Sequence, residues 1–327
     1  MFIKKLHIFQ IFSNLECSIF KLYTLIMCNL YTKFVKFLDI CKRFSNDLVT
    51  DKGNVSRPGP VPRFSDLEVV ALSMAAESEE IDSENWLFES KLKECRQLIP
   101  NLISRRQFND RHRATSNLCE QIRSRIAKHI DGNEDYFCID SKPIEVCRLA
   151  RGKRCKMGKD GDFAAAPDFG YCASQGCYFF GYKLHALCGL SGVIHSYDLS
   201  KASVHDINYL KDIKSMYSNC SIFGDKGYIG AEVQLDLFET ANIRLECPYR
   251  LNQKDWQPTF APFAKARKRV ETTFSQLCDQ FLIIRNYAKS TSGLFARTIS
   301  KISAMTALQY VNYTNNMPIG RIKYALI

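Results

Sequence analysis

Three acidic residues follow or lie within apolar elements, where their side chains could bind divalent metal ions. Asp140 ends a short apolar run at 136–139. Asp225 ends a second run at 220–224, and Glu271 lies inside a helical pattern. Carboxylate oxygens are the ligands that Mg²⁺ and Mn²⁺ prefer, whereas zinc sites favour histidine and cysteine. Two such ions about 4 Å apart can activate an attacking oxygen and stabilise the leaving oxygen of a phosphodiester. The three acids therefore predict a two-metal site for phosphodiester chemistry.

Spacing alone does not single out these acids, because the chain contains 34 aspartates and glutamates. Glu145 and Asp198 are the acids that could replace a member of the set, and solvated or helix-capping acids are the simpler interpretation. Glu271 is distinguished by its position beside Val270 and three residues before Phe274, at the edge of the apolar face of its helix. A carboxylate at the edge of a buried face costs free energy unless it is paired or binds a cation.

The elements that carry the three acids follow a mixed α/β order. Short apolar runs bounded by turn residues predict strands, and apolar residues at helical spacing predict helices between them. Gly189 and Gly192 lie between two of these runs and predict a hairpin. The predicted strands are 136–139, 182–187, 193–199, 220–224 and 243–247, and the predicted helices are 205–216, 232–240 and 267–284. This order indicates an α/β catalytic domain at 131–312, with a mixed sheet flanked by helices.

The region 63–130 has helical patterns throughout and predicts a DNA-binding unit. It follows a segment rich in proline and glycine at 54–62, and Ser65 and Glu68 form a capping box at its first helix. A short basic helix at 104–113 fits a helix-turn-helix unit, and a plain helical bundle is the alternative. The candidate residues for reading DNA bases are Arg105, Arg106, Asn109 and Arg113.

The chain carries 45 lysines and arginines against 34 acids, so its net charge is +11 and a polyanionic partner is favoured. The basic residues cluster after residue 95, at 148–159 and in the C-terminal third. No stretch reaches the roughly 18 apolar residues of a membrane span. Basic clusters beside acids favour DNA over a membrane surface. The candidate phosphate contacts are Lys153, Arg154, Lys156, Lys226, Arg267, Lys268 and Arg269.

The 14 cysteines are spread along the chain, mostly inside apolar runs. This distribution predicts reduced thiols in the cytoplasm rather than a secreted disulfide scaffold. Two interpretations of the N-terminus stay open: translation from Met1, or translation from Met27 with 1–26 as an upstream extension. The segment 27–62 then supplies an N-terminal helix and a linker, and 313–327 forms a C-terminal tail.

Five sequence blocks resemble, in order, the DDE transposases of bacterial insertion sequences, and in detail the IS982 family. Asp140 and Asp225 are 85 positions apart, and Glu271 follows Asp225 after a further 46. The blocks read FCIDSKPIEVC, GYKLHALC, SVHDINYL, FGDKGYIG and RKRVETTFSQL. The resemblance covers 27–312 and implies an RNase H-like core with two Mg²⁺ ions, for which Mn²⁺ can substitute. It also implies that Asp140, Asp225 and Glu271 are the metal ligands. The RxxxE pairing of Arg267 with Glu271 is likewise characteristic of related transposases.

The same resemblance implies binding to terminal inverted repeats. With metal ions at the acids, water would cut one strand at the end of the insertion sequence, and the freed 3′ hydroxyl would attack target DNA. We expect a homodimer in the complex with DNA and no membrane partner. His185, His205 and Asp206 are expected to support the metal ligands or contact DNA, with a helix cap as the alternative at 205–206.

Two features of related families are absent, because Ala264 and Cys278 stand where some relatives have tyrosine and lysine. Clamping of the DNA backbone by that lysine is therefore not expected in this chain. A non-transposing RNase H-like nuclease stays open as an alternative function. A catalytically inactive DNA-binding derivative is the second alternative.

Overall fold

The computed structural model describes residues 29–158, 165–248, 261–285 and 287–325. Two compact units divide between Thr115 and Ser116, and each is described by itself. The division falls one helix before the boundary expected at residue 130, because the helix Ser116–Asp131 packs along a helix near the C-terminus. The predictions made for residues 1–28 lie outside the described residues.

The first unit is built from helices. Its longer helices are α1 (Asn29–Arg43), α2 (Asp66–Ser78) and α3 (Arg105–Ala114). Helix α1 packs on α2, and short helical turns, including a π-helical turn at Leu87–Lys91, connect α2 to α3. The predicted capping box is confirmed, because Ser65 Oγ accepts from the Glu68 N–H and the Glu68 carboxylate accepts from the Ser65 N–H.

The proline-rich segment before α2 is fixed to that helix. Asp66 is fully buried, and its carboxylate accepts hydrogen bonds from the guanidinium groups of Arg57 and Arg111. The Val55 N–H donates to the same carboxylate, and the Asn54 side chain accepts from the Asp66 N–H at 3.1 Å. A buried carboxylate needs such partners, because burial of an unpaired charge is strongly unfavourable.

The second unit is built around a mixed sheet. Its strands are β1 (Tyr136–Cys147), β2 (Asp168–Cys172), β3 (Cys177–Gly189), β4 (Ile194–Lys201), β5 (Cys220–Phe223) and β6 (Ile243–Glu246). Strand β1 is antiparallel to β3 on one side and parallel to β5 on the other, and β6 runs parallel to β5. Strands β2 and β4 share the outer edge of β3, because β2 pairs with its first part and β4 with its second.

Helices cover the sheet and shape its core. They are α4 (Ser116–Asp131), α5 (Tyr209–Met216), α6 (Ala231–Ala241), α7 (Ala261–Asp279) and α8 (Thr291–Thr314). Leu210 of α5 and Leu237 of α6 pack in one buried cluster with the strand residues Ile139 and Ile222. Successive side chains of a strand point to opposite faces. Asp140 therefore points away from the face that Ile139 buries.

The turn between β3 and β4 connects the sheet to the long helices. Gly192 adopts a φ of +91°, which glycine reaches without strain. Its carbonyl oxygen accepts from Thr273 Oγ1 of α7 at 3.2 Å and from Gln309 Nε2 of α8 at 2.9 Å. The hairpin predicted around Gly189 and Gly192 is confirmed, and its turn holds the helix that carries Glu271.

The sequence patterns do not predict β2 or α8, and they place one strand end and one helix differently. Strand β1 continues through Asp140 to Cys147, whereas the apolar run predicts a strand that ends before Asp140. Helix α7 begins at Ala261 and ends at Asp279, whereas the apolar pattern predicts 267–284. The chain leaves the helix before Leu282, which has a φ of +49°. In the described part of the chain, no helix is both long enough and apolar enough to cross a bilayer.

Candidate active site

Asp140 and Asp225 are brought together by two neighbouring parallel strands. Strands β1 and β5 pair Cys138 with Phe223, and each aspartate follows two residues later. Because the strands are parallel and aligned, the two aspartates lie next to each other, at the level where β5 has ended and β1 continues. The Asp225 carboxylate accepts a hydrogen bond from the Gly227 N–H at 2.7 Å, which fixes it at the start of a short 3₁₀ turn.

The Asp140 carboxyl group has an unusual electrostatic environment. Its pKa is raised to about 6, chiefly by burial. A hydrogen bond from the Ser141 N–H at 2.8 Å lowers this pKa, and so does the charge of Arg267. The charges of Asp225 and Glu271 raise it further. The ionised form of Asp140 is therefore favoured when a cation lies beside it.

Glu271 lies on the solvent-exposed side of α7. Its side chain is 55% exposed, and its Oε1 accepts from Arg267 Nε at 3.1 Å, one helical turn earlier. The opposite side of the helix is buried through Val270, Phe274 and Leu277, as the apolar pattern predicts. Burial lowers the pKa of Arg267, but Glu271 and the two aspartates raise it above its ordinary value. Arg267 thus connects Glu271 electrostatically with the aspartate pair.

The donor atoms fit a hard divalent cation in their chemistry, but they are not gathered into one cluster. Asp140 and Asp225 offer carboxylate oxygens, which suit Mg²⁺ and Mn²⁺. Glu271 is held by Arg267. Across the described ranges, no three His, Cys, Asp or Glu side chains lie close enough together to hold a metal ion.

Asp206 lies close behind the strand that carries Asp140. Its carboxylate accepts from Ser141 Oγ at 3.1 Å and from Lys183 Nζ at 2.9 Å. Because Ser141 directly follows Asp140, this contact ties β1 to the start of the helical segment that leads into α5. Of the three supporting residues proposed from the sequence, Asp206 makes the most direct connection to an aspartate of the pair.

The two candidate histidines have different environments. His205 is exposed and caps a short 3₁₀ turn, where its Nδ1 accepts from the Ile207 N–H at 3.3 Å. His185 is 1% exposed, with its Nε2 2.8 Å from Ser200 Oγ and its ring stacked on Tyr209. Burial is the main cause that lowers the pKa of His185 to about 4. His185 is therefore neutral at neutral pH and supports β3 from inside the core.

Replacing His185 by Phe is expected to flatten the acid dependence of stability. The pKa of His185 is about 4 in the folded protein and about 6.5 in an unfolded chain. The unfolded chain therefore binds the proton first as the pH falls, and stability present above about pH 6.5 is lost toward pH 4, by about 3 kcal/mol. Urea unfolding at the two pH values measures the change. A variant that loses stability as steeply as the wild type contradicts this expectation.

Two further side chains that the sequence patterns do not single out lie beside the aspartates. Lys183 donates to Asp206 and, at 2.8 Å, to the Val204 carbonyl oxygen. Tyr228 is fully buried, its hydroxyl has no hydrogen-bond partner among the described residues, and burial raises its pKa. Three neighbouring aspartates raise that pKa further. The available signal is position, since Tyr228 follows Asp225 by one short turn.

The predicted DNA contacts are distributed over both units. In the first unit, Arg105 and Arg106 are exposed at the start of α3, whereas Arg113 is paired with Asp110 at 2.7 Å. In the second unit, one group flanks the carboxylates and another lies on or just after the 3₁₀ segment Leu149–Arg154. The flanking residues are Lys226, Arg267 and Lys268, and the others are Lys153, Arg154 and Lys156. The side chain of Arg269 instead lies against Gly192 of the β3–β4 turn and against Gly320.

A cleft of about 950 Å³ opens at the amino end of β1. Its lining includes Phe137 and Cys220, which lie at the amino ends of β1 and β5. Asp140 and Asp225 lie further along the chain, Asp140 within β1 and Asp225 just after β5, and neither lines the cleft. The cleft is therefore separate from the carboxylates and does not mark the candidate active site.

The comparison with known families finds a family for most of the second unit. The family model of the transposase DDE domain matches residues 131–307, more than half of the chain. The matched segment contains β1 to β6 together with Asp140, Asp225 and Glu271. No curated protein and no solved structure gives a match. The extent of the family match shows that the chain belongs to the transposase DDE domain family.

Proposed function

We propose that this protein is an IS982-family transposase that binds the terminal inverted repeats of an insertion sequence and carries out Mg²⁺-dependent DNA cleavage and strand transfer. Membership of the DDE family makes it a transposase in general terms, an enzyme that cleaves and transfers DNA strands. The observation that most supports the finer proposal is that Asp140 and Asp225 each lie two residues past the last paired residues of two adjacent parallel strands, Asp140 within β1 and Asp225 just after β5. Helix α7, which carries Glu271, packs against both strands.

The sheet supports an RNase H-like core. Along the path β4–β3–β1–β5–β6, β3 is antiparallel to both β4 and β1, whereas β5 and β6 run parallel to β1. A central strand with antiparallel neighbours on one side and parallel neighbours on the other is the arrangement of such a core. The first aspartate lies on the central strand and the second follows its parallel neighbour.

In the first unit, α3 is the element that we propose for DNA recognition. Phe108 and His112 are buried and hold the helix in the unit. Arg105 and Arg106 remain exposed at its first turn. The first turn of a recognition helix is the part that contacts base edges in helix-turn-helix proteins, and arginine pairs with guanine there. This placement supports residues 63–130 as a helix-turn-helix region.

The chemistry at the site follows from the charges of the chain's own residues. When bound, two Mg²⁺ ions supply activation of the attacking oxygen and stabilisation of the leaving oxygen, and Mn²⁺ can replace them. Asp140 and Asp225 provide the negative charge that such ions need. Lys226 and Lys268 are exposed beside the carboxylates, and we place the phosphate backbone against them. We further propose a homodimer in the complex with DNA and a catalytic domain at 131–312.

The proposal is tested with the purified full-length chain and duplex DNA that carries the inverted repeats flanking its reading frame. We expect a cut at the repeat end and joining to target DNA in Mg²⁺ or Mn²⁺, and no product in EDTA. A duplex with a scrambled end is the matched control. Equal cutting of both duplexes, or of junctions and hybrids without repeats, would instead assign an RNase H-like nuclease. A gel shift of the repeat duplex without any cleavage would assign an inactive DNA-binding derivative.

A further inference from the structure

Four aromatic rings form a ladder on one face of the hairpin made by β2 and β3. Register pairs Phe169 with Phe180 and Tyr171 with Tyr178. The ring centroids are 4.9 Å apart in each pair. Directly opposite residues of an antiparallel pair lie on the same face, and so do residues two apart along a strand. The four rings therefore make one continuous aromatic surface.

The other face of this hairpin is the face that folds into the protein. Cys172 and Phe179 are buried there with Ala202, which follows β4. One face of the hairpin is therefore buried, as in a stable sheet edge, and this burial does not involve the aromatic ladder. The ladder is available for a role other than packing the core.

Exposure of the ladder increases toward the tip of the hairpin. Phe180 is 6% exposed and Phe169 is 39% exposed, whereas Tyr171 and Tyr178 are 51% and 66% exposed. The basic 3₁₀ segment Leu149–Arg154 covers the buried end of the ladder. A Cβ atom on Gly152 would come within 2.8 Å of ring atoms of Phe169 and Phe180, so the backbone of this segment lies directly on the rings.

The segment that lies on the ladder is strongly basic. Residues 148–156 contain five lysines and arginines and no acid, and all five side chains are exposed. The turn between β2 and β3 also contains no acid. Exposed aromatic rings beside a basic segment are the combination that proteins use to bind single-stranded nucleic acid, with bases stacked on rings and phosphates beside cations. The basic residues are Arg148, Arg151, Lys153, Arg154 and Lys156.

We propose that the β2–β3 hairpin is a binding site for unpaired DNA bases, in which Tyr171 and Tyr178 stack on the bases. The 148–156 segment contacts the phosphates of the same strand. Unpaired bases are the favoured ligand because a ring can stack on a base only where the base is free of its neighbours. This inference rests on the proposed function, since strand cleavage and transfer produce DNA ends that can lose their pairing.

The test uses a fluorescein-labelled single-stranded oligonucleotide and the blunt duplex of the same sequence as probes for the full chain. Replacing Tyr171 and Tyr178 together by Leu is expected to weaken binding of the single strand about 100-fold, at about 10-fold for each ring. Binding of the duplex is expected to change less than about 3-fold. Replacing both by Phe retains the rings and is expected to restore single-strand binding.

The matched control is Tyr287→Leu, because Tyr287 is 67% exposed and lies outside the hairpin. This control is expected to bind both probes like the wild type. Unchanged single-strand binding by the double Leu variant overturns the inference and leaves the proposed function standing. Equal loss on both probes, or a changed oligomeric state by light scattering, also overturns it, because the rings would then serve duplex binding or self-association. A wild-type chain that binds neither probe contradicts the proposed function itself.

Discussion

Replacing Asp140 by Asn is expected to reduce Mg²⁺-dependent DNA cleavage about 1,000-fold or more. Metal ions stabilise transition-state charge by several kcal/mol, and each 1.36 kcal/mol corresponds to about a factor of ten in rate. The Asn side chain keeps the shape of Asp140 but cannot carry the negative charge that holds a cation. Asp225→Asn and Glu271→Gln are expected to give similar losses.

The matched controls are the two acids that the sequence leaves as alternatives. Glu145 is exposed on β1, and Asp198 lies on β4 opposite His185. Glu145→Gln and Asp198→Asn are expected to cleave within about threefold of the wild-type rate, as surface changes away from a site usually do. Cleavage at the wild-type rate by Asp140→Asn, or loss of cleavage by either control, would contradict the assignment of the site.

The same Asp140 variant is expected to be more stable than the wild type at neutral pH when metal is absent. The pKa of Asp140 is about 6 in the folded protein, against an ordinary value of 3.8. Between these values the folded state binds the proton more tightly, so stability falls as the pH rises from about 4 to 6 and stays lower above it. The expected cost in the wild type is about 3 kcal/mol, and the variant lacks it.

Urea unfolding in EDTA at about pH 7 and about pH 4 measures this difference, because folded Asp140 is mostly ionised at the higher pH and protonated at the lower one. The variant and the wild type should differ at the higher pH and converge at the lower one. A variant less stable than the wild type at the higher pH would contradict the electrostatic description. A variant that is inactive but more stable cannot owe its inactivity to misfolding.

The strands that carry the aspartates could be predicted from the sequence because their buried residues form continuous apolar runs. The runs before Asp140 and Asp225 are continuously apolar, and both strands are buried in the centre of the sheet. Buried parallel strands have this composition. The apolar runs therefore indicated where the two acids lie, although β1 continues past Asp140 to Cys147. The hairpin at Gly189 and Gly192 was predictable for the same reason, since glycine marks tight turns.

Elements stabilised mainly by tertiary contacts could not be predicted in this way. Strand β2 has the sequence DFGYC, which is only five residues long and has glycine at its centre, and its order comes from pairing with β3. Helix α8 is buried around most of its circumference, including the polar side chains of Lys301 and Gln309. A helix buried on all sides has no amphipathic period to detect. Lys301 is accommodated because its Nζ donates to the Phe281 carbonyl oxygen at 2.5 Å.

The candidate site was predictable as a set of acids, but most of its internal contacts were not. The pairing of Arg267 with Glu271, which the family resemblance implies, is present. The apolar pattern placed Glu271 at the edge of a buried face, whereas its side chain is exposed. The contact of Asp206 with Ser141 joins residues 65 positions apart, and no local pattern reports such a distance. The assignment of α4 to the second unit has the same origin. Its amphipathic face fits a helical bundle as well as it fits the surface of α8.

Replacing Lys153, Arg154 and Lys156 together by Ala is expected to weaken DNA binding about 100-fold at about 0.15 M salt. Each phosphate contact releases counterions and contributes about 0.9 to the slope of log affinity against log salt. Loss of three contacts should reduce that slope by about 2.7. Fluorescence anisotropy with a duplex at several salt concentrations gives both the affinity and the slope.

The control must remove the same charge without removing the same contacts. Lys211, Lys289 and Lys323 are exposed and lie on α5, before α8 and in the final 3₁₀ turn. Their triple Ala variant changes the net charge equally, so a general attraction between a basic protein and DNA predicts equal losses for both variants. Direct contact predicts a reduced slope only for the 153, 154 and 156 variant. Equal salt slopes for the two triple Ala variants would show that the basic segment acts only through the protein's overall charge. Direct contact would separate them, because counterions are released only where a phosphate is neutralised at the contact.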